Sequence, residues 1–258
     1  METILQHFRK DEQPFIESAI GWIREVEDTY SPKLTGFLDP RQQFIVESLV
    51  RGSGLLFEMN GEFPEAERVR VLIYPDYYVP ESSDYNISVF KVKYASKFLQ
   101  LGHKDVLGSM MSLGIDRTKF GDIRIAEDEV QFAVADELKD YMIANFTSIG
   151  KAKVTVDELT SSDELIASHD TWEESFYVSS SMRLDTIVSV VLNIPRQKAA
   201  ALVHGDKVKL NWVVRNQPAF ELFEFDMLSI RGFGRFKIIA IEGITRKENI
   251  RLIIGKLV

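Results

Sequence analysis

Cysteine is absent from the 258 residues, which excludes disulfides and thiolate metal sites and fits a reducing compartment. Histidine is scarce. His7, His103, His169 and His204 stand far apart with no ligand-like spacing, so no metal site and no cofactor are expected. No apolar run approaches the ~18 residues of a membrane helix. The start, Met1-Glu2-Thr3-Ile4-Leu5-Gln6-His7, lacks a basic region followed by an apolar run, so no secretory signal is read and a cytoplasmic location is expected. Phosphate and dinucleotide fingerprints are missing as well. Arg51-Gly52-Ser53-Gly54 lies between a helical pattern and a strand, the wrong context for a nucleotide turn. Arg231-Gly232-Phe233-Gly234-Arg235 falls short of either fingerprint; its glycines suit a tight turn, with Phe233 tucked in or presented for stacking.

What is present is an uneven distribution of charge. The net charge of −8 argues against nucleic acid if taken whole. Residues 181–258, however, hold 13 Lys/Arg against 7 Asp/Glu, net +6, while residues 1–180 hold 18 against 32, net −14. That asymmetry points to one nucleic-acid-facing module on an acidic body. The acidic body should repel phosphate, help orient the basic end and offer a surface for protein contacts.

Residues 1–82 read as a mostly helical domain with a pair of strands. Pro14 opens a helix with Ile16, Ile20, Ile23 and Val26 on its buried side. Asp39-Pro40 is a cap followed by Pro at the first helical position. Leu55–Glu58 and Val69–Tyr74, separated by Asn60-Gly61 and Pro64, read as the strands.

Residues 83–158 follow the order β-α-β-β-α-β, a ferredoxin-like unit also used by RNA-recognition-motif domains. Its expected strands are Ile87–Tyr94, Asp122–Ala126, Val130–Ala135 and Ala152–Val156; its helices are His103–Leu113 and Asp136–Phe146. Base stacking on such a sheet needs aromatics on the first and third strands. The third strand offers only Phe132 and no basic-glycine-aromatic run, so a scaffold or protein-contact role is favoured. Surface or capping roles explain His103-Lys104-Asp105, Asp122 and Glu127-Asp128-Glu129 more simply than catalysis does. Residues 159–180, rich in Ser, Asp and Glu, read as a linker, with Trp172 and Phe176-Tyr177-Val178 able to start a strand that docks on a neighbour.

In residues 181–258, Leu184, Ile187, Val188 and Val191 make the buried stripe of a short helix. Pro195 suits the first position of a second helix whose buried side is Ala199, Leu202 and Val203, with Gly205 as its stop. Val208, Leu210 and Trp212 then alternate with Lys207, Lys209 and Asn211 as in a strand. Two helices packed on a short sheet would leave one outer face for Arg183, Arg196, Lys198, His204, Lys207 and Arg235. Helix starts and arginine forks are matched to phosphate oxygens.

The order Arg183-Leu184-Asp185, Pro195-Arg196, Gly205-Asp206-Lys207-Val208-Lys209-Leu210-Asn211 and Asp226-Met227-Leu228-Ser229-Ile230-Arg231-Gly232 resembles the RNA-binding domain named after ribosomal small-subunit protein four, here the S-four domain. This chain inserts one residue after Gly205 and has Pro195 where the family usually has serine. The resemblance implies RNA contacts at Arg183, Arg196, Gln197, Lys198, His204, Lys207, Lys209, Asn211, Arg231, Arg235 and Lys237. Enzymes carrying such domains need further motifs. A pseudouridine synthase needs Thr-Ser-Gly shortly after its Arg-Leu-Asp, and here Thr186-Ile187-Val188 follows. The His-Ile-Gly-His and Lys-Met-Ser-Lys-Ser runs of a synthetase do not occur. No catalytic residue is assigned.

With His103-Lys104-Asp105-Val106-Leu107-Gly108-Ser109-Met110-Met111-Ser112-Leu113-Gly114-Ile115, Lys119-Phe120-Gly121-Asp122-Ile123 and Ser181-Met182-Arg183-Leu184-Asp185, the whole chain resembles the YlmH family of bacterial S-four proteins. The fold class implied is α+β, in three parts: helical, ferredoxin-like and S-four-type. The resemblance further implies a non-enzymatic protein that grips ribosomal RNA on the large subunit with peptidyl-tRNA, in ribosome-associated quality control. Transfer RNA is a second partner it allows, and gene neighbourhood links the family to cell division. DNA and membranes are not expected partners. The alternatives kept open are an RNA-modifying enzyme with an unrecognised site in residues 1–158 and a division-associated protein adaptor.

Overall fold

The computed structural model describes residues 8–167 and 171–258; expectations resting on Met1–His7 and on His169 lie outside them. The chain divides into two compact units, residues 1–168 and 169–258.

In the first unit, helix α1 (Gln13–Thr29) buries Ile16, Ala19, Ile23 and Val26, and Tyr30 closes it in the left-handed conformation. Strand β1 (Lys33–Leu38) follows, then helix α2 (Pro40–Val50). Asp39 caps α2 by accepting from the Gln42 N–H at 2.9 Å, and the Gln42 side chain in turn accepts from the Asp39 N–H. Strands β2 (Leu56–Asn60) and β3 (Val69–Tyr74) complete an antiparallel sheet in the order β1-β3-β2. Two expected strands are therefore three. Lys33–Leu38 escaped notice because an irregularity between Leu34 and Phe37 breaks its alternation.

The ferredoxin-like order is observed. Strands β4 (Ile87–Lys93), β5 (Phe120–Ala126) and β6 (Glu129–Ala135) and helices α3 (His103–Ser112) and α4 (Lys139–Asn145) fall close to their expected places. The last strand does not. A short hairpin of β7 (Ser148–Ile149) and β8 (Ala152–Lys153) takes part of the expected segment, and the paired strand is β9 (Thr155–Leu159). The sheet runs β5-β6-β4-β9 and is antiparallel throughout. Under α3 and α4 lie Phe90, Phe132, Val106, Met110, Met142 and Phe146.

The other face of this sheet is closed by the N-terminal part of the chain. Phe37 and Phe63 pack with Val89, Ala133 and Ala135, and Leu165 adds to the cover. Gly121 is needed for that approach, because a Cβ there would lie 2.8 Å from Phe37. Buried Arg68 donates to the carbonyls of Phe37 and Phe120, at 2.8 and 3.2 Å. Arg70 donates to those of Thr35, Tyr85 and Asn86. The boundary expected at 82/83 separates two folds that share one packed seam.

In the second unit, strand β10 (Trp172–Ser179) pairs along its whole length with β15 (Ile250–Leu257). Of the linker expected over 159–180, Leu159 ends β9, which pairs with β4, and the strand expected to start at Trp172 and Phe176-Tyr177-Val178 is observed over residues 172–179 as the edge strand of this unit. Helices α5 (Leu184–Leu192) and α6 (Arg196–His204) are followed by β11 (Val208–Leu210), β12 (Val213–Val214), β13 (Met227–Ile230) and β14 (Gly234–Ile244). The sheet order is β10-β15-β14-β13-β11-β12. Leu184, Ile187, Val188, Ala199 and Val203 meet Val208, Leu210, Leu228, Ile230, Phe236, Ile238, Leu252 and Ile254 in one core. Pro195 precedes α6 instead of opening it, while α6 stops at Gly205 as expected, with Asp206 in the left-handed conformation just after it.

Candidate nucleic-acid interface

The two helix starts are joined by one carboxylate. Asp185, in the first turn of α5, is 4% exposed. Its Oδ1 accepts from Arg183 Nε at 3.2 Å and its Oδ2 from Arg196 Nε at 2.9 Å. Burial opposes ionisation of Asp185, but the hydrogen bonds from Arg183 and then Arg196 prevail and hold its carboxyl below the usual range. Arg-Leu-Asp is therefore a buckle: the acid of one helix seats the arginine of the next. The two guanidiniums keep 41% and 53% of their side-chain surface exposed. One negative charge faces two positive ones, so the pair retains a net positive charge and outward N–H groups.

Gln197 and Lys198 are exposed in the first turn of α6, next to this pair. His204 is exposed at the other end of α6. Lys207 is exposed just beyond it, and its carbonyl accepts from the Arg231 N–H at 2.9 Å, which sets these two cations side by side. Lys198, Lys207, Lys209, Arg231 and Lys237 form no ion pair among the described residues.

The single cationic face expected from sequence is divided. Lys209 lies between buried Val208 and Leu210, and Arg235 and Lys237 flank buried Phe236. Strand alternation therefore turns these three away from the helices. The register Lys209↔Ser229↔Arg235 sets Lys209 and Arg235 in a row across the sheet, Lys237 pairs with Met227, and the Arg235 guanidinium lies 5.8 Å from the Trp172 ring centre. Arg235 is thus corrected from the helical side to the opposite side, because one-residue alternation decides the face.

Asn211 is corrected more fully. Its side chain donates to buried Asp226 at 2.8 Å and accepts from the Met227 N–H at 2.9 Å. With φ of 47° at Asn211 and 66° at Trp212, the two residues form the tight turn that joins Leu210 to Val213. Asn211 is committed to the fold, and Trp212 belongs to a turn, not to the buried face of a strand.

Sequence reasoning missed Asp185 as the organiser of the site. The available signal was an acid two residues after one arginine and eleven before another, inside an otherwise basic segment. In the first unit, Phe90 and Phe132 lie under the helices, and the sheet face that would stack bases is filled by Phe37 and Phe63. Among the described residues no cluster of His, Asp and Glu is suited to a metal ion, and no helix is long and apolar enough to cross a membrane.

Comparison with known proteins follows the same division. Residues 11–78 match the family model described as "YlmH, N-terminal", and residues 80–163 match the one described as "Putative RNA-binding domain in YlmH". The chain is 41% identical over 252 residues to a Bacillus subtilis (strain 168) protein named "Ribosome-associated protein quality control protein P2", covering 98% of each. A solved structure named "Cell division protein ylmH from Streptococcus pneumoniae" is 36% identical, with a TM-score of 0.55, over 62% of this chain and 98% of that one. The shared length, the two matched segments and the motifs carried by α3, β5 and α5 agree, and the chain belongs to the YlmH family.

Proposed function

We propose that this protein is a non-enzymatic RNA-binding protein that acts on the ribosome. Its C-terminal unit is an S-four-type clamp that holds structured ribosomal RNA by the phosphate backbone. The observation that carries this reading is the Arg183–Asp185–Arg196 buckle, which fixes two half-exposed guanidiniums beside exposed Lys198 at adjoining helix starts. Such a surface reads backbone geometry more than base sequence. The name of the Bacillus subtilis relative supports a place in ribosome-associated quality control. There the RNA would be that of the large subunit, held together with peptidyl-tRNA.

Co-sedimentation of purified protein with large ribosomal subunits tests the reading. Lys198→Glu combined with Lys207→Glu should abolish pelleting at moderate salt; pelleting equal to the parent protein would contradict it. Absence of catalysis belongs to the same proposal. Mass mapping of ribosomal RNA from a deletion strain should show no missing modification, and a modification lost there and restored by the purified protein would replace the clamp with an enzyme. A second reading, an adaptor in cell division, draws on the name given to the Streptococcus pneumoniae relative. A division-protein partner that survives nuclease treatment in pull-downs would favour it.

A further inference from the structure

The turn between β13 and β14 carries a ring that the fold does not use. Ile230 pairs with Gly234, so Arg231, Gly232 and Phe233 form the connection, closed by the Phe233 N–H donating to the Ile230 carbonyl at 2.9 Å. Gly232 and Gly234 have φ of 88° and 103°, a conformation that side chains other than glycine rarely adopt. The two glycines therefore permit the sharp turn on both sides of Phe233. Phe233 is 46% exposed and takes no part in the core of the unit. Arg231 is exposed on one side, and Lys207 is brought to it by the 2.9 Å backbone bond. Among the described residues neither cation is in an ion pair, and Asp206 is the carboxylate at this corner.

An exposed aromatic residue on the same loop as Arg231, whose backbone N–H bonds the Lys207 carbonyl, suits one ligand above others: a nucleotide whose base lies on the ring while its phosphates meet the cations. We propose that Phe233 stacks on an unpaired base of the bound RNA, with Lys207 and Arg231 holding the adjacent phosphates. This inference rests on the RNA-binding reading above and adds to it. A backbone grip alone accepts any helix of suitable shape, whereas a stacked base requires a loop, bulge or helix end next to the clamp. A partner protein would instead call for a wider apolar patch and carboxylates facing the two cations.

The experiment uses the full-length protein and purified bacterial large ribosomal subunits. Zero-length ultraviolet crosslinking, followed by peptide mass spectrometry, should find a nucleotide adduct on Phe233. Equilibrium binding should weaken about tenfold or more for Phe233→Leu, which keeps apolar volume and loses the ring, and remain near the parent value for Phe233→Tyr. Unchanged melting temperatures establish that both variants are folded. Lys198→Glu, on the first turn of α6, tests the RNA reading separately. If Lys198→Glu weakens binding while Phe233→Leu does not, stacking is overturned and the clamp stands. If Phe233→Tyr loses as much as Phe233→Leu, aromaticity is irrelevant and stacking is overturned. If none of the variants weakens binding, stacking and clamp fall together.

Discussion

Asp185 accepts a hydrogen bond from Arg196 at 2.9 Å across eleven residues of sequence, tying the start of one helix to the start of the next. The contact explains why an acid sits at the centre of a basic surface. It neutralises part of the charge and, in exchange, fixes where the remainder points. Asp185→Asn keeps the shape and removes the charge. It should cost about 1–3 kcal/mol, since two half-exposed guanidiniums lose a charged acceptor. Denaturant unfolding measures this, and a variant as stable as the parent would show the buckle to be incidental.

Acid should loosen the first unit through Glu12. Burial disfavours its charge, but hydrogen bonding to Arg41 and the charge of Arg9 outweigh burial and bring the pKa from 4.5 down to about 2. Because the folded value is the lower one, the stabilisation is complete above pH 4.5 and is lost as pH falls towards 2. Its size is on the order of 3 kcal/mol. Glu12→Gln should flatten the acid side of the stability–pH curve; an unchanged slope between those limits would contradict the assignment.

Arg68 should matter for folding and not for RNA. Its buried guanidinium holds the carbonyls of Phe37 and Phe120, and its backbone N–H donates to Asp122. Arg68→Ala should destabilise the protein by about 3–5 kcal/mol, since it strips partners from a buried polar seam. Thermal unfolding of the full chain measures the loss. Selective loss of ribosome binding in a fully stable variant would contradict it.

Asn211→Ala should likewise act on stability alone. The substitution removes the bonds to Asp226 and Met227 and places Ala at a φ of 47°. A loss of about 1–3 kcal/mol is expected, with RNA affinity unchanged once the variant is folded. Weaker RNA binding without loss of stability would return Asn211 to the interface.

The sequence was most legible where periodicity is strong. The apolar spacing at Leu184, Ile187 and Val188 and the alternation at Val208 and Leu210 located the C-terminal core, and the β-α-β-β-α-β order located the ferredoxin-like sheet. Lys33–Leu38 was not legible because its irregular register hides the strand period. The cover over the second sheet face was not legible either, since contacts between Phe37, Phe63 and Ala133 join residues far apart in the chain. At the candidate site, residue types were readable but directions were not. The sequence pattern puts Arg196 and Arg235 on one face, yet one starts α6 and the other lies on the sheet face away from the helices. Asn211 looked like a polar recognition residue because a turn residue held by a buried acid has the same sequence signature.

The central claim is that the exposed cations of the C-terminal unit, beside the Asp185 buckle and beyond the far end of α6, hold RNA phosphates, and the salt dependence of binding tests it most directly. Affinity for purified large ribosomal subunits should be measured across a series of potassium chloride concentrations for the parent protein, Lys198→Ala and Lys207→Ala. Each substitution is expected to make the log–log slope shallower by roughly 0.7–0.9, the value for one lost phosphate contact. Slopes that coincide with the parent protein for both variants would contradict the account.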